Sequence, residues 1–345
     1  MIVHWALPTL RNMLPADVFA DLPSAHAHPF YPYGDNPESL PFYNGITGEV
    51  AVRITAQFRR MSRRRLRQVC AKGLDIKWGV RVMDVRMEES GPVSLVLSDG
   101  GIASADLVIG ADGSSSRIRQ WLVGEEAGRS IATDWTIGSG IVRYTAEQAK
   151  AMLAPSEICA ACAGPNGLIV VATSDLKDPE DLSTCSFHVV RIWKDKAVSC
   201  EGGEAISKMK AATTPDFFNE PFYSAVQQIS EDSSTVFLRQ LQYWPTTPWD
   251  NRGGRVTLVG DAAHCMLPNR GQGLNQALGD VDVLVAQMLK VKEEGATLGE
   301  ALGNYEADVF VRGRKAALES LEDANAVMTT QNFSESRQAK QGLAK

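Results

Sequence analysis

Val256-Thr257-Leu258-Val259-Gly260-Asp261-Ala262-Ala263-His264-Cys265-Met266-Leu267-Pro268-Asn269-Arg270-Gly271-Gln272-Gly273-Leu274-Asn275 is the most specific pattern in this 345-residue chain. Four apolar or β-branched residues read as a buried strand, Gly260-Asp261 breaks it, and residues 272–291 have the apolar period of a long helix. Gly271 and Gly273 allow close backbone approach, and a helix starting there points unpaired N–H groups at whatever lies in front of it. That is the design by which doubly wound sheets hold nucleotides beyond the carboxyl ends of their strands.

A second segment repeats the design. Ala105-Asp106-Leu107-Val108-Ile109-Gly110 reads as a buried strand, followed by Ala111-Asp112-Gly113-Ser114-Ser115-Ser116-Arg117-Ile118-Arg119. Ser114 to Ser116 can cap a helix beginning near Arg117, and Asp112 at a strand end can accept from a ribose or ribityl hydroxyl. An Asp-Gly after a strand is also an ordinary turn, so this segment gains meaning only beside the first.

Taken together, Gly-Ala-Asp-Gly-x-x-Ser-x-x-Arg (Gly110 to Arg119) and Gly-Asp-Ala-Ala-His-x-x-x-Pro-x-x-Gly-Gln-Gly-x-Asn (Gly260 to Asn275) resemble the single-component FAD-dependent aromatic hydroxylases, the family of para-hydroxybenzoate and salicylate hydroxylases. The resemblance runs from Met1 to about residue 325. It implies an α/β fold: a Rossmann-like FAD-binding domain with an inserted, mostly β substrate domain and C-terminal helices. It also implies FAD as cofactor, NAD(P)H as co-substrate, and hydroxylation of a small aromatic or polycyclic molecule by O2. The cofactor carries that chemistry, so no catalytic triad is expected and no catalytic residue is named.

Carried over position by position, the resemblance assigns Asp261 to the ribityl chain and the backbone from Pro268 through Gly271, Gln272 and Gly273 to the isoalloxazine edge. A flavin N1–C2=O edge, negative on reduction, suits the helix start. Asn275 and Asp280 would stabilise the loop and helix. Asp112 would sit near the pyrophosphate and shape the approach of the reduced nicotinamide. Arg63, in Arg63-x-x-Leu66, matches the arginine that contacts FAD, with Arg60 and Arg64 as alternatives for that role.

The departure is N-terminal. Family members open with a buried strand and Gly-x-Gly-x-x-Gly, and these 345 residues contain no such fingerprint. The chain reads as an N-terminally truncated form, with weakened FAD affinity and exposed apolar edges as the expectation. The alternative reading is a flavin-free relative acting as a binding or scaffolding protein.

Working outward, Met1 to Ala6 reads as a strand and the next residues as a helix ending near Leu14-Pro15. Residues 22–48 read as loops, and Glu49 to Phe58 as a strand. The arginines at 59, 60, 63, 64, 65 and 67 accompany an apolar helical face that Gly73 ends. Runs 74–78, 80–87 and 93–98 read as a β-meander. Leu168–Thr173 and Ser186–Ile192 read as strands of a mostly β layer, and 295–328 as a second long helix. The expected organisation is residues 1–125, first part of the FAD-binding domain; 126–250, substrate domain; 251–330, second part and C-terminal helix; 331–345, a frayed tail. Trp193, Tyr243, Trp244 and Trp249 are candidate walls of the substrate pocket.

A net charge of −6 at pH 7 gives no global attraction to nucleic acid or anionic membrane. No stretch has the roughly 18 apolar residues of a membrane helix, and no secretory leader is recognisable, so a cytoplasmic protein is expected. Six cysteines suit free thiols. Cys159-x-x-Cys162 lacks the second pair of a zinc site, and His26 and His28 lack further ligands, so no metal is expected. His264 reads as a structural member of its loop, and His4 and His188 as core or edge residues.

Overall fold

Leu168-Ile169-Val170-Val171-Ala172 is a continuous apolar run because both faces of its strand are covered. Leu168, Val170 and Ala172 join one core with Phe42, Ala161 and Val190. Ile169 and Val171 join another with Cys162, Phe187 and Phe222. In the computed structural model, which describes residues 1–196, 198–328, 340 and 342, this strand lies within an eight-stranded sheet. The spatial order is Cys200–Glu201, Phe237–Tyr243, Ile131–Arg143, Ser186–Lys194, Gly167–Asp175, Cys159–Gly164, Glu38–Asn44 and Val50–Ala56. Neighbours run antiparallel except Cys159–Gly164 beside Glu38–Asn44.

Two features of this sheet differ from the sequence expectation. Glu38–Asn44 is a strand, although residues 22–48 read as loops, and with Val50–Ala56 it joins the sheet formed mainly by residues 131–243. The boundary at residue 125 therefore does not mark where the β layer begins. Pro41 hid the strand by lowering its apparent β character. The sheet also separates Cys159 from Cys162. A spacing of three along a strand sends their side chains to opposite faces, and they lie in different cores.

One sheet face is covered by the helices Ala146–Leu153, Gly202–Ala211 and Phe222–Gln227, through Ala149, Met152, Ile206, Met209, Phe222 and Val226. The other meets Leu267 and the end of the 30-residue helix Leu298–Val327, through Ala324 and Val327. That helix starts with a reciprocal capping box between Thr297 and Glu300.

The nucleotide-type layer contains two parallel strands, Val108–Gly110 and Val256–Leu258, under the helices Arg117–Val123, Gly273–Glu294 and Leu298–Val327. Ile109 on the first strand is 43% exposed. Val82–Arg86, Val93–Leu97 and Ile102–Ala105 form a separate antiparallel meander. Residues 74–78 do not join it. They are bracketed by Gly73 and Gly79 at positive φ, and Leu74 and Trp78 find no sheet face to cover them. Among the described residues, no helix is long and apolar enough to cross a membrane and no His/Cys/Asp/Glu cluster could hold a metal. The expected frayed tail, 331–345, lies outside the described residues apart from 340 and 342.

Candidate functional site

Gly260 ends its strand at φ +60°, a conformation that costs a β-carbon strain, and turns the chain into the short helix Asp261–His264. Its N–H donates to Asp280 Oδ2 at 2.7 Å, and His264 Nε2 lies 2.6 Å from the same oxygen. Arg312 from the last helix donates to Asp280 Oδ1 at 2.8 Å and to Asp308 at 2.7 Å. Burial pushes the Asp280 carboxyl up, but the His264, Arg312 and Gly260 donors outweigh it and hold its pKa below the usual range. One buried carboxylate thus ties turn, histidine and two long helices together. His264 is structural in this position.

Pro268–Arg270 forms one 3-10 turn, and Gly271 leaves it in the left-handed region at φ +62°. The helix Gly273–Glu294 follows. Asn275 fixes the loop, accepting from the His4 amide at 2.9 Å and donating to the carbonyls of Ile2 and Gly271, each at 3.1 Å. Gln272 Oε1 accepts from Trp5 Nε1 at 2.8 Å. The amides of Gly273 and Leu274 meet no acceptor among the described residues, so the helix start is open to an outside anion or carbonyl.

Asp261 stands beside that opening: a β-carbon on Gly273 would lie 3.7 Å from its Oδ1. Its carboxylate accepts no hydrogen bond among the described residues. The residue is open to solvent on one side, yet the surrounding protein desolvates its carboxyl and raises its pKa, against the opposing charges of His264, Arg63 and Arg119. Arg63, exposed in the first turn of Arg63–Cys70, is therefore close enough to act on Asp261. Four of the neighbouring arginines are engaged elsewhere, and Arg64 is exposed. Arg59 stacks on Tyr33, Arg65 pairs with Asp175 at 2.9 Å, Arg67 lies over Trp78, and Arg60 is buried against the sheet.

Asp112 has a different environment. Its oxygens accept from Ser116 Oγ, from the Arg117 amide at 2.7 Å and from the Ile118 amide at 3.3 Å. Ser116 caps the same helix by accepting from the Arg119 amide at 2.9 Å. Asp112 is thus committed to the start of Arg117–Val123, and its capacity to accept from an outside hydroxyl is largely used.

The last residue of this motif does what the sequence did not disclose. Arg119 is fully buried and donates to the carbonyls of Gly128 at 2.7 Å and of Asp261 and Ala262 at 3.1 Å each, as well as to Ser114. Its guanidinium lies 4.8 Å from the centre of the Trp244 ring. This side chain adds to the parallel pairing of Val108–Gly110 with Val256–Leu258 in holding the two motifs together. The signal available was its place on the inward face of a helix, next to Ile118 and Leu122. Arg312 carried a similar signal, a charge three residues from buried Val309.

On the other side of the flavin-type loop lies a cavity of about 110 Å³. Leu40, Phe42, Cys159, Ala161, Leu168 and Val170 make its sheet wall, and Pro268 through Gly271 close it. The four candidate aromatics are not in this lining. Trp193 faces the opposite side of the sheet, Tyr243 packs at the edge of the sheet core, Trp244 covers Arg119, and Trp249 donates to buried Glu306 at 2.9 Å. The strand parity at 193 and the break after Tyr243 send them elsewhere.

Residues 60–319 match the model of the family described as FAD binding domain. The chain belongs to that family. It is 31% identical over 353 aligned positions to the FAD-dependent monooxygenase phnB of Penicillium herquei, covering 99% of this chain and 84% of that protein. In fold it is similar to a salicylate hydroxylase in its substrate complex, with a TM-score of 0.69 at 19% identity over 99% of this chain and 84% of the other. Klebsiella pneumoniae HpxO complexed with FAD and uric acid superposes with a TM-score of 0.67 at 20% identity, over 88% and 74% of the two chains. The chain is thus an enzyme of the FAD-dependent monooxygenase family.

Proposed function

We propose that this enzyme hydroxylates a small aromatic or polycyclic molecule held in the 110 Å³ cavity, with NAD(P)H as reductant and O2 as oxidant. One observation carries the reading. The segment Pro268–Gly271 closes an apolar cavity on one side, while beside it the Asp261 carboxylate and the amides of Gly273 and Leu274 make no hydrogen bond among the described residues.

These residues fit FAD. Asp261 would accept from ribityl hydroxyls, Arg63 would meet a phosphate, and Pro268, Gly271, Gln272 and Gly273 would present backbone to the flavin, with helix N–H groups to stabilise negative charge. Asp112 acts by shaping the loop that Arg119 holds against Asp261. FAD bound there supplies oxygen activation: one oxygen atom enters the ring and the other leaves as water. The chain's own work is to exclude water through the apolar wall, orient the ring, and keep the loop rigid through Asn275 and Asp280.

The test is oxidation of NADPH and NADH by the FAD-supplied chain with a panel of phenols, read together with product mass. Substrate-stimulated oxidation with a product heavier by one oxygen supports the reading. NAD(P)H oxidation that no aromatic stimulates contradicts it.

A further inference from the structure

The cavity wall continues beyond its lining residues into a polar cluster. Strand register puts Cys159, Ala172 and His188 in one lateral row, and Ala161, Val170, Val190 and Ser139 in the next. Across strands about 4.8 Å apart, His188 lies two strands from Cys159 on the same face. Arg60 reaches this face at His188: its Nη2 is 3.2 Å from His188 Nδ1, and its charge partly offsets the burial that pushes the Cys159 thiol up. The guanidinium therefore sits beside His188 on the cavity-side face of the sheet, two strands from Cys159 and just outside the cavity's own lining.

Arg60 is an unusual cation. Its side chain is buried, and among the described residues its Nε has no hydrogen-bond partner and no carboxylate pairs with it. The acids that could serve are occupied: Glu38 accepts from Tyr31 at 2.7 Å, and Asp175 pairs with Arg65. A buried, uncompensated charge is costly unless something supplies the anion. The contacts also fix the histidine. Arginine only donates, so His188 Nδ1 accepts, and Nε2 carries the proton and donates to Ser139 Oγ at 2.8 Å. Burial, then the Arg60 charge and the Met1 ammonium, push the His188 pKa down to about 3, so the imidazole is neutral.

We propose that Arg60, oriented by His188 and Ser139, recognises an anionic oxygen, phenolate or carboxylate, on the aromatic substrate at the Cys159 end of the cavity. This rests on the cavity being the substrate site. It makes Arg60 a specificity determinant on the substrate side of the fold, apart from the Arg63–Asp261 side.

The test is calorimetric titration of the 345-residue chain at pH 7 with salicylate and with its neutral isostere salicylamide, for wild type, Arg60→Met and Arg60→Lys. A charge-assisted hydrogen bond predicts that wild type prefers salicylate by roughly tenfold. Arg60→Met should erase the preference by weakening salicylate alone, and Arg60→Lys should keep part of it, with melting curves confirming folding. Equal affinities in wild type, or an Arg60→Met variant that weakens both ligands alike, would overturn the role of Arg60 and leave the cavity reading standing. If wild type binds neither, the cavity reading fails and this inference with it.

Discussion

His264 Nε2 and Asp280 Oδ2 lie 2.6 Å apart, and neither side chain is exposed. The pair joins the turn after Val256–Leu258 to the helix Gly273–Glu294, and Arg312 extends it to the last helix. Asp280→Asn removes the charge on which Gly260, His264 and Arg312 converge. Breaking one partner of a buried network costs about 3–5 kcal/mol, readable by urea unfolding at pH 7. The folded carboxyl has a depressed pKa, so its stabilisation is present above the ordinary carboxylate range and is lost as pH falls through the folded value. The variant should therefore show a shallower loss of stability than wild type below about pH 4.

Asp261 predicts the opposite sign. Its pKa is raised by desolvation, so ionisation costs the folded state, and this contribution worsens as pH rises through the unfolded and then the folded value. Asp261→Asn should leave the melting temperature of the ligand-free chain unchanged or higher at pH 7, while reducing the stabilisation given by added FAD. A variant that melts lower without FAD and responds fully to FAD contradicts the assignment.

Arg119→Lys retains the charge and loses the fork. A lysine cannot satisfy the carbonyls of Ser114, Gly128, Asp261 and Ala262 together, nor stack on Trp244 as a plane. The expected loss is about 3 kcal/mol or more in denaturant unfolding, with the FAD response weakened because the turns at Ser114 and Asp261 lose their shared donor.

Gly271 tests the loop. A β-carbon there meets open space, so Gly271→Ala pays only the left-handed backbone strain, about 1–2 kcal/mol. Because the open space is where the cofactor is assigned, the fall in FAD-dependent melting shift should exceed that stability change.

Ala161→Phe probes the cavity. Its side chain points from the sheet wall into the 110 Å³ space, and overpacking costs about 1–3 kcal/mol. Loss of aromatic ligand binding with an intact FAD response is expected. Unchanged ligand binding would place the substrate elsewhere.

The helix and the strand at the second motif were legible because local signals agreed: the apolar run Val256 to Val259, the break at Gly260-Asp261, and the apolar period after Gly271-Gln272-Gly273, whose end the structure moves from 291 to Glu294. So was the structural nature of His264 and Asn275, since their motif positions precede any free site. What escaped were choices made by tertiary contact. Trp193 and Trp244 are aromatic in any reading, but strand parity and the Arg119 platform decide where they face. Among six clustered arginines, sequence spacing could not tell Arg60, drawn under the sheet, from Arg63, left beside Asp261. Glu38–Asn44 pairs across long sequence separations with Cys159–Gly164, and no local pattern encodes that partner.

The central claim is that Asp261 and the loop through Gly273 form a cofactor site in this chain. The most direct measurement is the melting temperature of the purified 345-residue protein against FAD concentration, beside Asp261→Asn, with flavin absorbance after desalting. The account predicts a concentration-dependent rise in wild type that the variant largely loses. An unchanged melting temperature up to millimolar FAD, with no retained flavin, would contradict it.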